Sequence, residues 1–150
     1  MKMWIYGKQK GISLLEVMLS LAIIAIILVM ATRYFGLASR GSKLNDATQQ
    51  INEVRQGLTR YLNDKNTLVG VTLPGLAAAG YITQQTGAGT GPWGPNTISI
   101  TPTPTNASIA VHTGDDSAAC QNLANRFTNI GAVCAPSTVD NVVTINNPIQ

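Results

Sequence analysis

After a leader carrying Lys2, Lys8 and Lys10, the chain turns apolar: Ile12 to Ala31 reads ISLLEVMLSLAIIAIILVMA, interrupted only by Ser13, Glu16 and Ser20. At about 1.5 Å per helical residue, this stretch is long enough to cross a hydrocarbon layer of about 30 Å. Beyond it the pattern changes without losing its helical period. Leu37, Leu44, Ile51 and Leu58 recur at heptad spacing, Ala47, Val54 and Tyr61 fill the intermediate turns, and Lys43, Asp46, Gln49, Gln50, Glu53 and Arg55 lie on the polar side. The spacing predicts one helix from Ile12 to about Asn63, roughly 78 Å long, whose second part is amphipathic. Gly36, Gly41 and Gly57 each weaken a helix by up to about 1 kcal/mol relative to alanine, so a bend or partial melting on assembly is expected within residues 36–42.

Past residue 65, charged residues thin out and Gly, Thr, Ala and Pro take over. Thr72 to Ile82, TLPGLAAAGYI, predicts a short helical turn ended at Gly80, followed by a flexible loop over 86–91. Pro92-Trp93-Gly94-Pro95 is a turn that places Trp93 to cap a sheet against the helix. Thr97–Thr101 and Ala107–Thr113 alternate as strands do, and the Pro-rich stretch 102–106 between them predicts a hairpin. Asp115-Asp116-Ser117 suits the start of a helix running to about Asn129, because side-chain oxygens and negative charge satisfy a helix amino end. Asn141–Ile145 is a final strand. The expected class is α+β, a long N-terminal helix packed on a small antiparallel sheet.

The acid inside the apolar run changes the picture from anchor to device. A carboxylate within a membrane segment costs on the order of 3 kcal/mol, so Glu16 is a functional residue unless it reaches interfacial water. Three lysines precede the segment and only Arg33 follows it closely, which keeps the leader cytoplasmic and exports everything after about Thr32. A conventional secretory signal cut near Gly36-Leu37-Ala38 is the competing reading, but the apolar stretch exceeds the 7 to 15 residues of that class and an acid breaks its start.

Lys10-Gly11-Ile12-Ser13-Leu14-Leu15-Glu16-Val17 followed by an aliphatic helix resembles the processing and methylation motif of type IV prepilins. The resemblance implies cleavage after Gly11 by a prepilin peptidase, methylation of Ile12 as the first mature residue, and use of Glu16 in methylation or assembly. It also implies the type IV pilin fold and a helical filament. Ile rather than Phe at position 12 is similar to the type IVb branch or a minor subunit, and a Trp-Gly pair before a strand resembles type IVb major pilins and secretion pseudopilins; taken together the chain is most similar to type IVb major pilins. The implied organisation is a leader over 1–11, a transmembrane and filament-core half-helix over 12–35, an amphipathic half-helix over 36–65, and a globular head over 66–150. Cleavage would create an α-amine four positions before Glu16. Between subunits, an incoming Ile12 amine meeting a neighbour's Glu16 would neutralise both charges, and breaking such a buried pair costs on the order of 3 to 5 kcal/mol, which penalises a wrong axial stagger. Leu14, Leu15 and Ser20 are expected at helix-helix contacts, with Ser13, Glu16 and Ser20 on one helical face.

Charge and chemistry narrow the remaining classes. The formal net charge is +3, but losing Lys2, Lys8 and Lys10 leaves seven basic and seven acidic side chains, and no basic cluster with interleaved aromatics supports nucleic-acid binding. Cys120 and Cys134 are the only cysteines, and export places them where a disulfide is the natural state. Closing that loop contributes roughly 3 kcal/mol in the chain-entropy model. A disulfide-bounded C-terminal region is therefore expected. His112 is expected on a strand surface, and a calcium site at Asp115 and Asp116 is the sharper alternative to helix capping. No catalytic constellation, cofactor motif or metal-ligand cluster is present, which points to a non-enzymatic protein without cofactor or metal. The partners implied are further copies of the chain, the peptidase and methyltransferase, an inner-membrane assembly platform with its ATPase, and the membrane that holds the single-pass precursor before the filament is displayed outside the cell. A minor pilin or type II secretion pseudopilin is the alternative within this architecture. A membrane-anchored periplasmic binding module with a groove near Trp93 is the alternative from another class.

Overall fold

A computed structural model describes residues 13–137, 140–146 and 149. The chain divides between Ser39 and Arg40 into two compact units. The first holds the apolar part of helix α1, Leu14–Lys65, and the second holds the rest of α1 and all remaining elements. Helical residues run through Gly36–Ser42 without a break.

In the second unit, Ala47, Ile51, Val54 and Leu58 recur three and four apart and are completely buried, as one face of an amphipathic helix should be. Helix α2, Leu73–Ala78, begins where Thr72 Oγ1 accepts from the Gly75 amide and Pro74 occupies a first-turn position. The stretch expected as a loop over 86–91 instead starts inside a short helix, α3, Gln84–Gly87, because Thr83 caps it by accepting from the Thr86 amide. Strands β1, Ile98–Pro102, and β2, Ala107–His112, form the expected hairpin, with Ile98 opposite Val111 and Ile100 opposite Ile109. Helix α4 covers Ser117–Arg126 and ends earlier than expected, passing into a 3-10 turn, Thr128–Ile130, that Gly131 closes at φ 74°.

An unanticipated strand follows, β3, Ala132–Ala135, and β4 covers Val142–Ile145. The sheet is antiparallel throughout, in the order β1-β2-β4-β3. Ile98, Ile109, Val111, Val143 and Ile145 share one core with the α1 stripe, Leu68, Leu76 and Leu123. Cys120 on α4 and Cys134 on β3 form a disulfide with their Cα atoms 5.7 Å apart, fastening α4 to the edge strand.

Gly57 corrects the expectation that it merely weakens the helix. A Cβ at that position would lie 2.5 Å from Ile82 Cγ2 and 3.3 Å from the Tyr81 carbonyl oxygen, so the glycine admits the chain after α2 against α1. Gly36 and Gly41 have nothing within 4 Å of the same position. Gly41→Ala should therefore raise the thermal midpoint, gaining up to about 1 kcal/mol of helix propensity. Gly57→Ala should lower it, because overpacking costs roughly 1 to 3 kcal/mol and exceeds that gain. Thermal melts of the two variants beside the parent test the opposite signs.

Candidate functional site

Glu16 lies in the first turn of α1, where a negative charge is favoured by the helix dipole. Its amide donates to the Ser13 carbonyl at 2.9 Å. Leu14 and Leu15 beside it are 74% and 73% exposed, and no residue of the apolar window is buried within the chain. Such a surface suits an apolar medium, and α1 is long and apolar enough to cross a bilayer. Ser20 Oγ donates to the Val17 carbonyl at 2.8 Å, and Thr32 Oγ1 donates to the Val29 carbonyl at 3.0 Å. These hydroxyls are thus satisfied inside the helix, as an apolar medium demands. Glu16 has no such internal partner among the described residues. Gly11 and Ile12, the expected cleavage and methylation positions, lie outside the described residues.

A second polar feature lies on the other unit, on the polar side of the amphipathic half of α1. Asp46, Gln49, Gln50 and Glu53, spaced at i, i+3, i+4 and i+7 along α1, line a groove of about 310 Å³ whose far wall includes Thr83, Gln85, Thr86 and Gly91. Glu53 bridges the two walls. One carboxylate oxygen accepts the Thr83 amide, and the other accepts the Thr86 hydroxyl at 2.7 Å. Partial burial pushes the Glu53 carboxyl up, but the hydrogen bonds from Thr86 and Thr83 outweigh that and hold it below its ordinary value of 4.5. The local signal for this tether was the Thr83-to-Thr86 capping spacing together with an acid on the helix face that α3 approaches.

The remaining candidates have structural partners. Trp93 is half-buried against the core and rides on a tight turn in which the Gly91 and Gly94 amides and carbonyls pair at 3.0 and 3.1 Å. His112 lies on strand β2 with a partly exposed side chain, as expected, and is paired through Nδ1 with Asp140, whose other oxygen accepts the Gly114 amide at 3.2 Å. Asp116 caps α4 by accepting the Ala119 amide at 3.0 Å and lies 3.6 Å from Arg40, which assigns it to capping rather than to a cation. No group of three or more His, Cys, Asp or Glu is placed to hold a metal ion among the described residues.

Comparison with known proteins bears on the amino-terminal segment. Residues 6–32 match the family model of the prokaryotic N-terminal methylation motif. The match supports a type IV pilin-like or pseudopilin-like substrate of a prepilin peptidase, of a kind that is structural rather than catalytic. The long N-terminal helix, the four-stranded antiparallel sheet and the C-terminal disulfide fit the type IV pilin fold. No curated protein and no solved structure matches the chain.

The Glu53 tether carries a pH signature. A carboxyl whose folded value is lowered contributes stability that is present above its ordinary value and is lost as pH falls through the lowered one. Glu53→Gln should reduce the thermal midpoint near neutral pH, and the gap to the parent should close as pH drops below about 4.5. Melts of both proteins across that range provide the check.

Proposed function

We propose that this chain is the structural subunit of a type IV pilus, of type IVb major-pilin character. It is held in the inner membrane by the apolar half of α1 until an assembly platform and its ATPase draw it into a helical filament displayed outside the cell. The observation that carries this reading is the methylation motif over residues 6–32 joined to an unburied apolar helix with one acid at its head. In this scheme a prepilin peptidase cuts after Gly11, and the Ile12 amine is methylated. That cut turns a leader anchored by three lysines into a positively charged terminus able to neutralise Glu16 where water is absent.

Filament formation asks little of the hydrophobic effect. Moving apolar side chains from lipid to neighbouring helices exchanges one apolar contact for another, so packing and charge pairing decide the register. In this reading Leu14, Leu15 and Ser20 make such helix-helix contacts. A paired amine and carboxylate would then discriminate between axial staggers that aliphatic side chains alone tolerate almost equally.

Two measurements test the reading. The intact mass and amino-terminal sequence of the chain from its host should show a start at Ile12 carrying one methyl, with a gain of two hydrogens on reduction of the Cys120–Cys134 bridge. A retained leader would instead support an anchored binding module, and a start near Ser39 an ordinary secreted domain. Glu16→Val should abolish surface filaments seen by electron microscopy, while filaments at parental number would remove Glu16 from assembly. Abundance separates the subclasses, since a pseudopilin or minor pilin would be scarce in sheared filaments and a major pilin would dominate them.

A further inference from the structure

The groove on α1 offers acceptors and no cation. Asp46 makes no hydrogen bond or ion pair among the described residues, and Glu53 accepts from the Thr83 amide and the Thr86 hydroxyl, with no cation beside it among those residues. Gln50 Oε1 is buried without a hydrogen-bond partner. Its amide is held in that orientation, because Nε2 donates to the Thr90 carbonyl at 3.1 Å and a flip would set two oxygens together. A buried acceptor left unpaired is costly, so a groove with two carboxylates and an orphan carbonyl oxygen fits a ligand that is positive and rich in N–H donors.

The opposite flank of α1 carries the complement. Where α3 meets α1 through Glu53, α4 meets it through Arg126, whose Nη1 donates to Asn45 Oδ1 at 3.1 Å and Thr48 Oγ1 at 3.3 Å. Both acceptors are neutral, Arg126 is exposed, and no carboxylate among the described residues lies within ion-pair distance of it. A guanidinium presents five donors in a planar fork, enough to meet Asp46, Glu53 and Gln50 Oε1 together. The acidic and basic features lie on different flanks of one helix. A contact in which the groove of each copy takes the Arg126 of the next is heterologous, and repeating it adds copies side by side without using up either surface.

We propose that the groove of Asp46, Gln50 and Glu53 receives the Arg126 guanidinium of a second copy of this chain. The inference rests on the filament reading above and adds a charge contact between heads to the one expected at Glu16.

The test is a charge exchange in the native host, read as the yield of sheared filaments, with the thermal midpoint of each purified chain as the check on folding. Like charges across the contact are repulsive, so D46R and R126D should each lower the yield roughly tenfold or more. The double variant D46R/R126D should restore it, and so should co-expression of the two single variants, since each then supplies the charge the other lacks. Restoration by co-expression also shows that both chains fold. Single variants that assemble at parental yield overturn the contact while leaving the filament reading intact. Loss without restoration at unchanged thermal midpoints also overturns the Arg126 assignment, as does an indifferent R126D beside a failing D46R. A parental chain that forms no filaments overturns the filament reading, and this inference with it.

Discussion

The head is organised on a narrow apolar stripe of α1. Ala47, Ile51, Val54 and Leu58 are removed completely from water, and the sheet residues Ile109, Val111, Val143 and Ile145 close the same core. A helix of this length without an apolar medium would keep its stripe wet, and a four-stranded sheet of such short strands would have no covered face. Each element therefore depends on the other. At about 25 cal/mol per Å² of apolar surface removed from water, burial of these side chains is the dominant favourable contribution in the second unit. The requirement for close approach explains why glycine stands at position 57, where any Cβ would meet Ile82.

The two parts of α1 present different surfaces. Its first part exposes leucine, isoleucine and methionine on every side, which suits lipid or neighbouring helices, and its second part is polar on one side only. The second part alone is the spine of the folded head, with Ala47, Ile51, Val54 and Leu58 in its core. The hydroxyls within the apolar part are bonded to their own backbone, at Ser20 and Thr32. Glu16 stands apart because a carboxylate has no donor with which to satisfy itself in this way.

Charge is treated differently in the head, where α1 is clamped on both flanks. Glu53 receives the cap of α3, and Arg126 and Asp116 tie the two ends of α4 to Asn45, Thr48 and Arg40. Such exposed contacts are individually weak, so their value lies in orientation more than in stability. The Cys120–Cys134 bridge then supplies covalent constraint where β3 forms a sheet edge of only four residues. A strand that short, with Val133 58% exposed, has little burial of its own to hold it.

What the sequence determined by itself was whatever is encoded locally. The membrane-length run, the amphipathic period, the Thr72 start of α2, the β1–β2 hairpin and the α4 cap all arise from residues within a few positions of one another. The amino-terminal motif was legible for the same reason, since a peptidase reads a short linear stretch. The tertiary structure decided the rest. β3 has only four residues and takes its strand conformation from pairing with β4, while α3 is stabilised by an acid thirty residues away. The partner of His112, Asp140, stands twenty-eight positions on. Gly57 changed from a weak point to a packing requirement once Ile82 arrived. These contacts are long-range in sequence, and their energies depend on distances that no local pattern specifies.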